Sequence, residues 1–289
     1  MHYVIGDIHG CYDEMISLVE RIRKRDPQAK IIFLGDFCDR GPKVWEVMQW
    51  MAQNINPTGN YLSVQGNHDR ILQEWFFDWS EWYRSQPLLH RLTGNLDREG
   101  EPHPDYDFYE VAKAHHALTP RRLNSIFATY TLMPFHYEIT VPGRNGAPVV
   151  YDIVHGWFEY NMPENAYGQH MYNTWARELN GNYANDHIIV HGHTPTVTEP
   201  VLHGHPETPP GMIAYRHNAI NLDGGCCYYK PGGEYPCLLC AICLESMVVF
   251  FSHRLEVRLG REMAAAYREK YLSEPNPFRL EMLRMLGHI

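Results

Sequence analysis

Tyr3-Val4-Ile5-Gly6-Asp7-Ile8-His9-Gly10 is the stretch on which the fold turns. Its first three residues are β-branched or aromatic, the composition of a short buried strand. Glycines 6 and 10 then bracket an Asp and a His two residues apart. Side chains alternate along extended backbone, so Asp7 and His9 fall on one side and can grip a single metal ion. The same grammar recurs downstream. An apolar run over 31–34 enters Gly35-Asp36-Phe37-Cys38-Asp39-Arg40-Gly41, and one over 61–64 leads to Gly66-Asn67-His68-Asp69. Residues 149–154 precede His155-Gly156, and 188–190 precede His191-Gly192-His193-Thr194. Ligand-type residues at the carboxyl ends of strands converge in space although they lie far apart in the chain.

Between the strands the apolar period changes. Met15, Ile16, Leu18, Val19 and Ile22 share one helical face, as do Val44, Val47, Met48 and Met51. Pro42 sits near the start of the second helix, where a missing N–H costs little. This β–α–β–α–β order predicts an α/β core with its active loops along one sheet edge. From about 71 to 132 the pattern turns aromatic, polar and helical, opening with Trp75-Phe76-Phe77-Asp78-Trp79 and broken by a loop rich in Gly, Pro and charge over 95–107. It reads as a helical insertion (71–132) covering one side of the site. Few basic residues interleave the aromatics, so packing rather than base stacking is expected of them. Strands are expected again at 135–141 and 149–154, joined by a turn over 142–146, and at 188–190, 219–222, 238–244 and 248–251. A helix is expected over 169–179 and a helical tail over 255–289. The whole chain, 1–289, is expected to be a single domain.

A formal charge of −9 over 289 residues opposes a general nucleic-acid binder, which carries a basic stripe. It leaves room for an anionic substrate, because bound cations reverse the local field. No apolar run reaches the length of a membrane span, so no membrane partner is expected. Met1 runs directly into the first strand, leaving no room for a signal peptide, and a cytoplasmic location is expected. The seven cysteines are then read as reduced. Cys237, Cys240 and Cys243 have zinc-like spacing, but their apolar setting is that of a buried strand. Cys226-Cys227 is expected to pack beside the last motif. The sequence carries no signal for an oligomeric state.

The donor set is specific enough to assign. Asp7, His9 and Asp36 would hold one metal. Asp36, bridging through its second oxygen, would join Asn67, His155 and His193 around another. Mixed oxygen and nitrogen ligation without thiolate suits Mn2+ first, with Fe, Zn or Co as alternatives. The protein does not fill either coordination sphere, which leaves positions for water or phosphate oxygen, as catalysis by a metal pair requires. His191, two residues before His193, is read as a neighbour. His115, His116, His203 and His205 have no supporting context among the eighteen histidines.

Gly-Asp-Ile-His-Gly, Gly-Asp-Phe-Cys-Asp-Arg-Gly and Gly-Asn-His-Asp closely resemble the three signature motifs of the PPP-family metallophosphatases. That family includes Ser/Thr protein phosphatases, the bacteriophage lambda phosphatase and symmetrical diadenosine tetraphosphatases. Val154-His155-Gly156, Gly192-His193-Thr194-Pro195 and Asn221-Leu-Asp-Gly-Gly225 resemble later motifs of its bacterial and phage branch, in the expected order. The resemblance implies a metallophosphoesterase-type layered α/β/β/α sandwich. It implies that His68 is a general acid oriented by Asp39, an imidazolium that protonates the departing oxygen. It also implies that Arg40 holds phosphate oxygens through its planar fork, with Asn67 at the phosphate and Arg177, in Trp175-Ala-Arg177, as a second phosphate-binding arginine. The chain departs from the family in Asp69, where the eukaryotic protein phosphatases usually have Glu, in Gly-Trp-Phe after His155, and in Cys38 beside Asp39. No expected ligand is lost, which opposes a catalytically silent scaffold.

The expected activity is phosphomonoester hydrolysis by a metal-bridging hydroxide. A protein phosphorylated on Ser/Thr, or with dual specificity also on Tyr, is the first substrate class. A nucleotide substrate, through symmetrical dinucleoside tetraphosphate hydrolysis on the same metal pair, is the alternative. The net charge and the Asp-Arg-Gly motif oppose a nuclease.

Overall fold

The computed structural model of the protein describes residues 1–93, 96–102, 107–143, 146–158, 173–177, 187–198 and 208–288. Strand β1 (His2–Ile5) leads to helix α1 (Tyr12–Arg25), β2 (Lys30–Phe33), α2 (Val44–Asn54) and β3 (Tyr61–Ser63). Four helices follow: α3 (Asn67–Ser85), α4 (Leu88–Thr93), α5 (Asp107–Ala114) and α6 (Pro120–Tyr130). Strands β4 (His136–Pro142), β5 (Pro148–Val154), β6 (His187–His191), β7 (Ala214–Arg216) and β8 (Ala219–Asn221) come next. A 3-10 turn at Cys226–Tyr228, β9 (Cys240–Cys243), β10 (Val249–Phe251), α7 (Leu255–Leu259), α8 (Arg261–Tyr271) and α9 (Pro277–Met285) complete the chain.

Two mixed five-stranded sheets lie face to face, in the orders β10-β9-β1-β2-β3 and β4-β5-β6-β8-β7. Each strand's alternation assigns its two faces. In β1, Tyr3 and Ile5 join α1 and α2, where Met15, Leu18, Ile22, Val47 and Met48 are buried. Val4, Ile32 and Leu34 point the other way and meet Tyr151, Ile153, Val190 and Ile220 of the second sheet. The outer face of that sheet carries a smaller cluster of Val154, Trp157, Ile189 and Ala219. This is the layered α/β arrangement expected, with two β layers and helices outside the first. Most of the helix predicted over 169–179 lies outside the described residues; within it, 173–175 are helical. Parts of the loop at 95–107 and of the turn at 142–146 also lie outside them.

Helices α3 to α6 share their core with α1 and α2. Phe76 stacks on Phe127 with ring centroids 3.9 Å apart, and Trp75, Trp79, Phe108 and Tyr130 fill the space around them. These aromatics therefore pack internally, as their sparse basic neighbours predicted. Thr119 caps α6 by accepting from the Arg122 N–H, with Pro120 in the first turn. Two features escaped the sequence pattern. Strand β7 is three residues long and pairs with β8 as a hairpin, too short to show a period. The tail is helical as expected, but its packing was not: Leu255, Leu259, Ala264, Tyr267, Met282 and Leu286 all enter the core between the sheets.

All seven cysteines are free. Cys240 faces the core between the sheets and Cys243 the helical side, on opposite faces of β9, so the triplet cannot converge on one ion. Among the described residues no helix is long and apolar enough to cross a membrane.

Met282 is fully buried at the closing edge of the core between the sheets. Met282→Ala should lower the free energy of unfolding by about 2–5 kcal/mol, read by equilibrium urea denaturation, although the residue lies on a helix with no expected chemistry.

Candidate metal centre and active site

Five loops leave the carboxyl ends of β1, β2, β3, β5 and β6 and bring the expected ligands together. Asp36 is the hub. Its Oδ2 lies 3.3 Å from both His9 Nε2 and His155 Nε2, and its Oδ1 accepts the His68 N–H at 3.0 Å. Asn67 Oδ1 stands 2.9 Å from His155 Nε2 and 2.9 Å from His193 Nδ1. Asp7 Oδ2 accepts the His193 N–H at 3.0 Å. Among the described residues, two candidate metal-holding groups share Asp36: His9, Asp36 and His68, and Asp36, His155 and His193.

The hydrogen bonds behind these ligands fix their tautomers. His9 donates Nδ1–H to the Cys38 carbonyl, and His155 donates Nδ1–H to the Leu34 carbonyl, each at 2.8 Å. Both rings, when neutral, therefore aim an Nε2 lone pair at the site. In that neutral state the His155 lone pair would confront the Asp36 and Asn67 oxygens with no donor hydrogen between them. Asp7 Oδ1 is also buried without a hydrogen-bond partner. So many converging acceptors repel one another unless a cation lies among them, and the residues present fit a divalent metal pair.

The proton balance has the same cause. Burial lowers the affinity of the His155 ring for a proton, but Asp36 and then Asp7 outweigh it and raise its pKa to about 10. Burial pushes the Asp36 carboxyl up, yet His155 and His9 hold it well below the usual range. Asp7 goes the other way, raised by burial, by Asp223 and by Asp36. Burial and then His155 push His193 down to about 3, so its ring is neutral. In the metal-free protein the proton on His155 stands in for a cation.

Beside this cluster His68 donates Nδ1–H to Asp39 Oδ2 at 2.7 Å, and Arg40 Nη2 donates to His68 Nε2 at 2.8 Å. Arg40 Nη1 also makes a short contact with His9 Nε2. Its guanidinium lies 5.7 Å from the centre of the Tyr228 ring. Arg177 is exposed, and its charge reaches His193, whose pKa it lowers. Trp175 presents its ring edge to His193 with centroids 6.4 Å apart. His191 turns away from the cluster and packs edge-on against Trp157 at 5.4 Å. His115 stacks on Trp45 at 5.3 Å, and residues 203 and 205 lie outside the described residues.

The loops are held in costly shapes. His9, Asp36, Asp39, Arg40 and His193 have φ of 41°, 48°, 66°, 68° and 64°, in the left-handed region. Each such residue costs on the order of 1–3 kcal/mol, and the cost persists only where surrounding contacts over-determine it. Two glycines allow close approach. A Cβ at Gly192 would stand 2.0 Å from Asp7 Oδ1, and one at Gly66 would stand 2.1 Å from Asp36 Oδ1.

Two carboxylates had no assigned role in the sequence. Asp69 Oδ2 accepts the N–H groups of Asp36 (2.7 Å) and Gly66 (3.1 Å), while Oδ1 accepts those of Phe37 (3.0 Å) and the Tyr130 hydroxyl (3.3 Å). It thus ties the second motif to the third and both to the aromatic core. Burial and then Asp36 raise its pKa to about 6. Asp223 accepts the Gly225 N–H at 2.9 Å through Oδ1, and its buried Oδ2 has no partner. Its charge acts on Asp7, His9 and Arg40. Both residues stand inside quoted motifs, Gly-Asn-His-Asp69 and Leu-Asp223-Gly-Gly, and that was the available signal. Cys38 is buried, and burial and then Asp39 push its thiol well up, which opposes a reactive thiolate. Cys226 packs beside the first motif, its Sγ 3.5 Å from the Asp7 and Ile8 carbonyls.

A model of the calcineurin-like phosphoesterase family matches residues 3–220. An asymmetrical bis(5'-nucleosyl)-tetraphosphatase from Halalkalibacterium halodurans is 25% identical over 235 residues, 78% of this chain and 85% of that protein. A symmetrical bis(5'-nucleosyl)-tetraphosphatase from Methylococcus capsulatus is 32% identical over 110 residues, 31% of this chain and 38% of that protein. Among solved structures, a putative diadenosine tetraphosphatase superposes with a TM-score of 0.51 at 16% identity, covering 86% of this chain and 91% of its own.

The raised pKa of His155 makes a signed prediction for protein stripped by a chelator. Its stabilising contribution is complete below about pH 6.5 and is lost as pH rises through about 10. The stability difference between wild type and His155→Gln, measured by urea unfolding in chelator, should therefore shrink across that interval. A difference that grows with pH would reverse the sign of the assigned charge coupling.

Proposed function

The chain belongs to the calcineurin-like phosphoesterase family, and from that premise we propose that it hydrolyses dinucleoside polyphosphates at a dimetal site. The observation that carries the substrate class is the near full-length similarity to a bis(5'-nucleosyl)-tetraphosphatase, over 78% of this chain. The sequence ranked phosphorylated protein first and nucleotide second; the relatives support the opposite order. The relative matched over most of its length is named as asymmetrical, whereas the alternative read from sequence was symmetrical cleavage.

The proposed ligands are Asp7, His9, Asp36, Asn67, His155 and His193. Two divalent ions, when bound, neutralise phosphate charge and lower the pKa of water. Mn2+, Fe, Zn and Co are all candidates for an O/N donor set without thiolate. The protein's own groups then supply positioning and proton transfer. Arg40 reaches both His9 and His68 and so stands where a phosphoryl group between them would be gripped. Its transfer to phosphate oxygens frees His68 Nε2 to carry a proton. His68, protonated from solvent at Nε2 and held through Nδ1 by Asp39, gives that proton to the oxygen of the departing nucleotide as water attacks phosphorus and the P–O–P bridge breaks. Asn67 and the exposed Arg177 add donors for the remaining phosphate oxygens.

Hydrolysis of diadenosine tetraphosphate with Mn2+ supplied should exceed that of a phosphoserine peptide, a phosphotyrosine peptide and an aryl phosphate, and should stop with chelator. Chromatography of the products separates the modes: two ADP mark symmetrical cleavage, and ATP plus AMP asymmetrical cleavage. Preference for the phosphopeptides would overturn the substrate class and leave the metal site standing. His68→Asn should lower kcat by about 10²–10⁴-fold with metal content unchanged, whereas Asp36→Asn should lose both metals, read by elemental analysis. Unchanged turnover in His68→Asn would remove it from the acid role.

A further inference from the structure

The outer face of the second sheet carries a group of ligand-type side chains outside the centre described above. Parity along the strands puts His136 and Glu138 of β4, Asp152 of β5 and His187 of β6 on that face, opposite Tyr137, Ile139, Tyr151 and Ile188. Glu138 and Asp152 are direct partners across the antiparallel β4–β5 ladder. His187 pairs with Val150, two residues before Asp152 and on the same face. The ligand atoms of Glu138, Asp152 and His187 all lie within 4.8 Å of one another. His136 Nε2 and His187 Nδ1 approach the two oxygens of Asp152 from either side, at 2.7 and 2.8 Å.

The setting makes this more than a surface cluster. Asp152 is buried to 1% exposure on a face otherwise built from Val154, Trp157, Ile189 and Ala219. A carboxylate there loses its hydration, and the His136 and His187 rings supply hydrogen bonds in its place. One imidazole nitrogen and two carboxylates make an NO2 donor set, while His136 holds the other oxygen of Asp152. The set's two negative charges equal the charge of one divalent ion. Three hydrogen-bonded strands fix the positions, and Phe158 packs against the His136 ring with centroids 4.5 Å apart. Borderline donors without thiolate favour Zn2+ and its transition-metal neighbours over Ca2+ or Mg2+.

We propose that Glu138, Asp152 and His187 form a third, structural divalent-metal site of the zinc class on the outer face of the second sheet, with His136 bracing Asp152 from the other side. The ion would staple β4, β5 and β6. Strands β5 and β6 run into His155 and His193, so the staple would brace two of the candidate catalytic ligands without touching substrate.

The test uses the full chain loaded with Zn2+, dialysed against metal-free buffer and analysed for retained metal. Wild type should hold three equivalents and Glu138→Gln/His187→Gln two. Two or fewer equivalents in wild type, or the same content in both proteins, would overturn the site. Because the double variant could fail to fold, Glu138→Gln alone provides a second arm: Glu138 is exposed, and its loss should weaken the third Zn2+ at least tenfold by calorimetric titration. A Co2+ titration of Asp36→Asn separates this site from the catalytic pair. One equivalent with visible d–d absorption supports the third site, and no Co2+ absorption in that folded variant counts against it.

Discussion

The Asp36 carboxylate is the point on which the rest of the architecture hangs. It is buried between two imidazoles whose Nε2 atoms face it, and it also accepts a backbone N–H from the first turn of α3. Buried oxygens and ring nitrogens converging in this way repel unless a proton or a metal cation lies between them. The cluster's persistence requires a rigid surround and such a cation. The surround is visible in five non-glycine residues at positive φ, all in loops that touch the cluster.

That rigidity comes from the core. Asp69 gathers three backbone N–H groups from two loops, and the Tyr130 hydroxyl reaches the same carboxylate from α6. Tyr130 packs in turn among Phe127 and the aromatic residues of α3. The aromatic stretch therefore acts on the site through packing, by holding the carboxylate that shapes the second and third motifs. Each buried hydrogen bond to a charged group contributes about 1.5–3 kcal/mol, enough to offset the strain of one or two left-handed residues.

The proposed chemistry depends on the same economy of position. Arg40 stands between His9 and His68, at the boundary between the candidate metal ligands and the candidate acid. A phosphoryl oxygen drawing the guanidinium away releases both imidazoles, so substrate entry and the readiness of the acid are linked through one side chain. Nothing in that linkage requires a protein substrate, and a polyphosphate chain offers the guanidinium the charged oxygens it binds best.

The sequence by itself determined the strand–loop grammar and the six candidate ligands, because each lies in a glycine-bracketed loop directly after an apolar run; the His68–Asp39 pair came from the resemblance of those motifs to a known family. Local spacing is enough there, since the strand fixes where the loop begins. Three things were decided only in tertiary structure. Asp69 and Asp223 gained their roles from loops and charges that neighbour them only in space. The C-terminal helices joined the core between the sheets through residues with no partner in their own segment, such as Met282. Strand β7, three residues long, exists because β8 pairs with it. A periodic pattern records the face that an element buries, whereas these features depend on which distant element meets that face, and no window of the sequence contains that information.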